Sequence, residues 1–515
     1  MKVLRIIILL ALTNINNLSA QQKAFEFENQ SVTYVTGKVD DNLKHDTLSM
    51  VLQGPFLVDG SPERFSTRTL TATVDANGEF KFEILTGNLP FHFSLFLSSK
   101  RDSRFGNLSG DGDIANYLIE AGDSIHVVFK KQSQYYTGKG SSLFEAQYAS
   151  NRIMQLDSNE KNCLTTDSHD YIHSNIEKWL RQKDSILNVQ LDVLSGYKSI
   201  LSPFAYSIVR ADIIGLNRSF VYRIVGLQGL FFTPGKKMEP GLANAYKELT
   251  QRSDYFSGND KANLSPEYIN YLYLKIRLGV IYDRISQNEN ISIYDRNYFP
   301  AITKQYAGTL RDKLLAYWLI QLTGKNDLQP EYLENALAVM QSAYFKSIVE
   351  QLKNTYARGE PVKDFDFKDV NGKTVHLADF KGKVVFVDMW FSGCSGCVHV
   401  AAALPHVEEV FRDRADVVFV SLCIDEDRNL WIKSIDKNLV GKHYTHYTTS
   451  TTKYLYTAGT GPNNPFIKAY VPDGSYPSLL IIDKEGKLFS STPIRPDVEN
   501  GEPLIKEING ALQVK

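Results

Sequence analysis

Val384-Val385-Phe386-Val387-Asp388-Met389-Trp390 is apolar apart from one acid, and it runs almost directly into Cys394-Ser395-Gly396-Cys397. A short, continuous apolar run of this kind reads as a strand buried on both faces, which belongs in an α/β arrangement with helices covering the sheet. The segment from Val398 to Arg412 reads as the helix that follows, so Cys394 opens a helix. The first turn of a helix offers free N–H groups and a partial positive charge. Both stabilise a thiolate, and the thiolate is the reactive form of cysteine. Cys397 lies about one turn on, so its sulfur can reach back towards Cys394 and close a disulfide.

The flanking segments fit the same plan. Phe365-Asp366-Phe367 and Thr374-Val375-His376-Leu377 form a hairpin signal around Asn371-Gly372. Val417 to Ile424 reads as a second buried strand and Asn429 to Leu439 as a helix. Leu479 to Asp483 and Leu488 to Ser491 read as a strand pair around Lys484-Glu485-Gly486-Lys487, and Pro503 to Leu512 as a closing helix. This order predicts a mixed sheet for residues 361–515. Residues 450–464 read as a long loop outside the core. Arg358-Gly359-Glu360-Pro361 marks the boundary before this domain.

The rest of the 515-residue chain is too long to share one core, so further domains are expected. Residues 24–135 read as β-rich and sandwich-like: Leu48, Met50 and Leu52 alternate with polar residues, as do Phe80, Phe82 and Ile84 after Asp75-Ala76-Asn77-Gly78. A further strand pair brackets Glu120-Ala121-Gly122-Asp123. Residues 140–355 change to helical period. Ile172, Ile176, Trp179, Leu180, Leu187, Leu191 and Leu194 make one stripe, and Leu333, Leu337, Met340, Tyr344, Ile348 and Leu352 another. The many tyrosines of this region are expected at its rim.

Residues 1–20 read as a secretory signal: Lys2 and Arg5 precede the short apolar run Ile6 to Leu12, and Ser19-Ala20 offers a cleavage point. That run falls short of the roughly 20 residues a spanning helix needs. A periplasmic or cell-envelope location is therefore expected. With 4 cysteines in all, the chain is no disulfide-stapled scaffold, and the close pair Cys394 and Cys397 points to redox chemistry or metal. A net charge of -1 argues against a nucleic-acid partner.

Two residues outside the cysteine pair are candidates for chemistry. Asp388 lies in the apolar strand, where an unpaired carboxylate is costly, and beneath the cysteines it is placed to take the proton of Cys397. Pro477, before Leu479-Leu480-Ile481-Ile482, suits a cis peptide whose loop presents the backbone of Tyr476 to an extended partner chain.

Phe386-Val387-Asp388-Met389-Trp390-Phe391-Ser392-Gly393-Cys394-Ser395-Gly396-Cys397, with Tyr476-Pro477 downstream, resembles the thioredoxin superfamily. Gly382-Lys383-Val384-Val385 and Ile482-Asp483-Lys484-Glu485-Gly486-Lys487 are similar to its exported TlpA/ResA-like branch. The resemblance covers about residues 361–515. It implies a thioredoxin-like fold and a thiol–disulfide oxidoreductase, with Cys394 attacking, Cys397 resolving, Asp388 as the buried acid and Pro477 as the cis-proline. Trp390, Tyr476 and Pro477 are the expected contacts to a partner chain. No cofactor and no metal are expected, and the implied partners are exported protein thiols or disulfides and a membrane electron donor. Gly393 stands where thioredoxins carry a second tryptophan, Ser395-Gly396 replaces the usual Gly-Pro or Pro-Pro, and Val400 occupies a position where many ResA-type proteins have a functional Glu.

Other readings carry less. Cys394, Cys397, His399 and His406 lack the spacing of a structural zinc site, and copper carriers of this fold favour a wider cysteine spacing. Val398 follows Cys397, so the haem-attachment motif fails, and Val387 and Phe391 break the peroxidase pattern. A binding or scaffold protein whose redox domain serves one bound partner stays open, as does a copper-handling protein. The resemblance implies a reductant, as many envelope proteins of this branch are, and in the same direction no Lys, Arg or His lies between Phe391 and Val398 to stabilise the Cys394 thiolate further. That favours a potential near about -270 mV over one near about -120 mV. Cys423 reads as a small core residue, and Cys163 as a thiol in a polar stretch.

Overall fold

The computed structural model describes residues 31–39, 45–53, 67–86, 90–97, 114–130, 133–157, 166–229, 240–256, 261–289, 297–322, 329–364, 366–436, 447–449, 451–471 and 474–514. Residues 1–20 and Cys163 lie outside this set.

The described residues form two compact units, the second beginning with the helix at Tyr298. The first opens with strands β1 (Ser31–Lys38), β2 (Thr47–Gln53), β3 (Thr67–Thr73), β4 (Glu79–Thr86), β5 (Phe91–Leu97), β6 (Ile114–Ile119), β7 (Ser124–Lys130) and β8 (Ser133–Lys139). They make two four-stranded sheets, ordered β4-β1-β7-β8 and β3-β2-β5-β6. Val35, Phe82 and Val127 of the first sheet share one core with Met50, Phe93 and Tyr117 of the second, and Phe144 of the next helix joins them. The turn before β4 is an Asx turn: Asp75 Oδ1 accepts from the N–H groups of Asn77 and Glu79, both at 2.8 Å.

Helices α1 (Ser141–Asp157), α2 (Thr166–Ser195), α3 (Pro203–Gly229), α4 (Pro240–Gln251) and α5 (Pro266–Ser286) complete this unit. The stripe Ile176, Trp179, Leu180, Leu187 and Leu194 of α2 is buried. Gly215 of α3 admits the start of α5: a Cβ there would stand 2.3 Å from the carbonyl carbon of Glu267. Many of the described tyrosines are core residues, contrary to the expectation that they line the rim. Tyr222, Tyr246, Tyr268 and Tyr271 are buried, and their rings fill space that aliphatic side chains leave. Two of these hydroxyls find carbonyls, Tyr222 donating to Leu249 O at 2.8 Å and Tyr246 to Val225 O at 2.9 Å.

The second unit starts with α6 (Tyr298–Gln305), α7 (Gly308–Leu322), α8 (Pro330–Val339) and α9 (Ala343–Tyr356). The stripe from Leu333 to Leu352 is therefore two helices. Met340 is extended, and the buried carboxylate of Asp312 accepts from the N–H groups of Gln341 and Ser342, both at 2.7 Å, which fixes the break. Tyr344 consequently points outward, 37% exposed.

Then follow β9 (Asp366–Lys368), β10 (Thr374–His376), β11 (Val384–Trp390), α10 (Ser395–Val410), β12 (Val417–Cys423), α11 (Arg428–Ile435), β13 (Lys453–Tyr456), α12 (Pro465–Tyr470), β14 (Ser478–Ile482), β15 (Leu488–Ser490) and α13 (Glu502–Leu512). One sheet holds seven strands in the order β10-β9-β13-β12-β11-β14-β15. It is mixed, as expected: β11 runs parallel to β12 and antiparallel to β14. Every residue of β11 is buried. Phe386 packs with Val400 and Leu404 of α10 and with Leu504 and Ile508 of α13 on one face.

Residues 450–464 are not all loop. β13 lies inside that span and inserts between β9 and β12, pairing parallel with β12 from Val420–Lys453 to Cys423–Tyr456. A four-residue strand containing one Lys and two Tyr has no local signal; its neighbours on both sides define it. The Gly359–Pro361 boundary also belongs to the sheet. Gly359 N–H donates to Leu488 O and Leu488 N–H to Glu360 O, both at 2.8 Å. Among the described residues no helix is long and apolar enough to cross a membrane.

Candidate active site

Cys394 is the N-cap of α10, and the N–H of Cys397 points at its sulfur, 3.1 Å away. The two cysteines form a disulfide with Cα atoms 5.3 Å apart. Cys397 is fully buried and Cys394 is 5% exposed, so Cys394 is the sulfur nearer to solvent.

The loop entering the helix is held from three directions. The Asp425 carboxylate accepts from the N–H of Ser392 at 3.1 Å and from its hydroxyl at 2.5 Å. The Ser392 hydroxyl also meets that of Ser434 at 2.7 Å. Gly393 N–H donates to the Tyr447 hydroxyl at 2.7 Å. With φ at +101°, Gly393 occupies a backbone region that tryptophan would enter only under strain, which accounts for the departure from the thioredoxin pattern.

Trp390, expected to contact a partner chain, is fully buried and cannot do so. Its indole stacks on Tyr447 with ring centroids 4.8 Å apart and donates to the Ser421 hydroxyl at 2.7 Å. Strand alternation explains this: Trp390 shares a face with Phe386 and points into the layer beneath α10. It is the floor of the site. The accessible aromatic is instead Phe391, half-buried and edge-on to Tyr476 at 5.5 Å.

The Tyr476–Pro477 peptide is cis. This loop lies directly against the cysteine turn: a Cβ on Gly396 would be 3.0 Å from Pro477 Cδ and 3.8 Å from Tyr476 O. Glycine at 396 is thus what permits the approach. Tyr476 and Pro477 are both half-buried at the mouth of the site.

Asp388 lies on the same face of β11 as Phe386 and Trp390. Phe386 packs under the middle of α10, and Trp390 packs against Cys394 and Cys397. Asp388 therefore sits beneath the first turns of that helix. It is 2% exposed, and its Oδ1 has no hydrogen-bond partner among the described residues. Burial raises its pKa to about 8, with the charge of Arg495 opposing part of that rise.

Arg495 had no signal in the local sequence, since it lies far along the chain and enters through the fold. Its Nη2 donates to Gly396 O at 3.4 Å, and its guanidinium makes a two-pronged contact with Asp497 at 2.9 and 2.8 Å. The absence of a basic residue between Phe391 and Val398 therefore does not leave the site uncharged. Asp425, Ser434 and Tyr447 were missed for the same reason. Cys423 belongs to the cluster that contains the disulfide, and its thiol donates to Asp425 at 3.4 Å. Burial pushes that thiol far above its ordinary range. Val400 is buried in the core, so no carboxylate stands at that position.

The C-terminal part of the chain is similar to known proteins. Residues 357–495 match the Redoxin family model. The chain is 26% identical to the thiol-disulfide oxidoreductase ResA of Oceanobacillus iheyensis over 32% of its own length and 88% of that protein. It is 25% identical to ResA of Bacillus thuringiensis over 29% of its length and 78% of that protein. The thioredoxin domain of a thiol-disulfide oxidoreductase from Bacteroides vulgatus is 24% identical, covering 29% of this chain and 96% of that one, with a TM-score of 0.24.

The seven-stranded mixed sheet and the disulfide at its strand-to-helix junction define the C-terminal domain as thioredoxin-like, and the protein as a thiol–disulfide oxidoreductase. Within the thioredoxin superfamily the domain resembles the TlpA/ResA-like branch.

Proposed function

We propose that this protein is a cell-envelope thiol–disulfide oxidoreductase that reduces exported protein disulfides through Cys394 and Cys397. The observation that carries this reading is the position of the disulfide. It caps a helix, lies above a buried acid and faces the cis-proline loop.

In the reduced protein, the Cys394 thiolate attacks one sulfur of a client disulfide. A mixed disulfide forms, and the other client sulfur leaves as a thiolate that takes a proton from solvent. Cys397 then loses its proton to the Asp388 carboxylate and attacks Cys394 Sγ. The second client sulfur leaves as a thiolate and takes up the proton held by Asp388, and Cys394 and Cys397 end as the disulfide seen here. Two electrons and two protons from a membrane donor dithiol restore the starting state. An extended client segment fits alongside Tyr476 and Pro477, pairing with the backbone of the loop, while Phe391 supplies an apolar rim. The redox centre lies within residues 361–515, with residues 1–20 as an export signal; we assign the β-rich residues 24–135 and the helical residues 140–355 no chemistry.

The reductant direction rests on likeness to the ResA proteins and on the neutral Ser395-Gly396 pair between the cysteines. Pairing with Asp497 offsets part of the Arg495 charge, which keeps the site from resembling a strongly oxidising one. Equilibration of the protein with a glutathione couple tests this. A potential near about -270 mV is expected, and one near about -120 mV makes the protein an oxidant. If Cys394→Ser retains full exchange activity, the assignment of the centre fails.

A further inference from the structure

We propose that Arg495 is a positioning residue of the redox centre: held by Asp497, it grips the carbonyl of Gly396 and places a positive charge beside the buried acid and the cysteine turn. This deepens the function proposed above and rests on it.

Three observations converge on Arg495. The guanidinium donates to Gly396 O, the peptide between the two cysteines. Its Nη1 would stand 3.9 Å from a Cβ on Gly396, at the place where Pro477 also closes in. And Asp497 takes both prongs of the fork, so the side chain is aimed rather than waving in solvent. The side chain is 39% exposed, and the exposed and buried halves of the site meet at it.

The charge has few competitors. Asp388 faces Ser421 and Leu479 at its register positions on β12 and β14. The helices over that face, α10 and α13, present Val400, Leu404, Leu504 and Ile508 to it. Arg495 is the charged group whose field is felt at Asp388, where it works against burial. Asp497 in turn feels both Arg495 and His399, an exposed residue of α10. The contacts of Arg495 with Asp497 and with Gly396 O thus set a paired charge at the cysteine turn, above the carboxyl of Asp388.

The consequences have a definite sign. A positive charge beside the centre favours the carboxylate over the acid and thiolate over thiol. Removing it makes Asp388 a weaker acid and lowers the potential of the cysteine pair. Removing Asp497 exposes the full charge of Arg495 and does the reverse. A residue that merely braced the loop would move both variants the same way.

The test measures the pH dependence of the resolving step and the reduction potential in the full chain, for wild type, Arg495→Gln, Arg495→Lys and Asp497→Asn. Arg495→Gln is expected to displace the Asp388-dependent limb to higher pH, by about 0.5 unit or more, a roughly threefold change in the proton equilibrium. Its potential is expected to become more negative. Asp497→Asn is expected to displace both in the opposite direction, and Arg495→Lys to stay near wild type. Displacement of the Gln and Asn variants in the same direction, or of neither, overturns the proposal while the exchange activity of wild type still stands. A wild-type chain whose cysteine pair does not cycle overturns the functional reading, and this proposal with it.

Discussion

Asp425 and Ser392 are joined twice: one carboxylate accepts both the backbone N–H and the hydroxyl of the serine, 33 residues earlier in the chain. The pairing ties the end of β12 to the loop that delivers Cys394. Ser434 of α11 completes the bond set on the same hydroxyl. The cysteine turn is therefore anchored by side chains of the neighbouring strand and helix as well as by its own helix.

Asp425→Ala should unmoor this loop. The loss of a charged acceptor from two donors costs about 1.5–3 kcal/mol. The disulfide should then be reduced faster by a small thiol, because the turn opens more often. Thermal melting together with the rate of reduction by dithiothreitol checks this. An unchanged reduction rate would show that the loop does not depend on Asp425.

Trp390→Ala should act on stability and not on client affinity. The indole is wholly enclosed between Tyr447, Ser421 and the cysteine cluster. Truncating an aromatic in such a place costs about 3–5 kcal/mol. Denaturant unfolding should register the loss, while Phe391→Ala, at the rim, should leave stability nearly intact and raise KM for a peptide disulfide. If Trp390→Ala weakens client binding without lowering stability, the floor assignment is wrong.

How much of this was legible beforehand follows from what each residue depends on. The strand at Val384–Trp390, the helix after Cys394 and the strand pair around Gly486 are local patterns, and each forms where its residues predict. The placement of Cys394, Cys397, Asp388 and Pro477 was readable because it follows from position along one strand, one turn and one loop. β13 was not readable, since its pairing partners define it. Arg495, Asp425 and Tyr447 were equally silent: each is an ordinary polar residue until the fold carries it to the site. Trp390 was misplaced because a tryptophan beside a cysteine pair looks like a contact surface, and only strand alternation under α10 turns it inward.

The start of the redox domain can be tested by fragment length. Residues 359 and 360 pair with Leu488, and the Tyr356 hydroxyl donates to Ala469 O at 2.6 Å. A fragment beginning at Pro361 loses all of these. One beginning at Ala343 keeps them, along with the buried ring of Tyr356. The longer fragment should melt several degrees higher, at about 2–4 °C per kcal/mol for a chain of this size. Equal melting temperatures would place the boundary at Pro361 after all.

Asp388 should leave a signature in the stability of the oxidised protein. In the unfolded chain its carboxyl has the ordinary value of 3.8, and in the folded state burial raises this to about 8. Between those two values the native state binds a proton that the unfolded state has released. Stability therefore falls as pH rises through that window, by up to about 1.4 kcal/mol per pH unit from this one group. Below about pH 4 both states are protonated and above about pH 8 both are ionised, so the slope vanishes at each end. Asp388→Asn replaces the acid with a neutral group of similar shape. The variant should be more stable than wild type at pH 7 and should lack this part of the pH dependence. The same substitution removes the proton acceptor for Cys397, so the mixed disulfide should persist longer while its formation keeps its rate. Unfolding by guanidinium at several pH values, with mass spectrometry of the trapped mixed disulfide, reads both effects on one variant. A variant as pH-dependent as wild type would mean that Asp388 is ionised in the fold, and equal resolution rates would remove it from the mechanism.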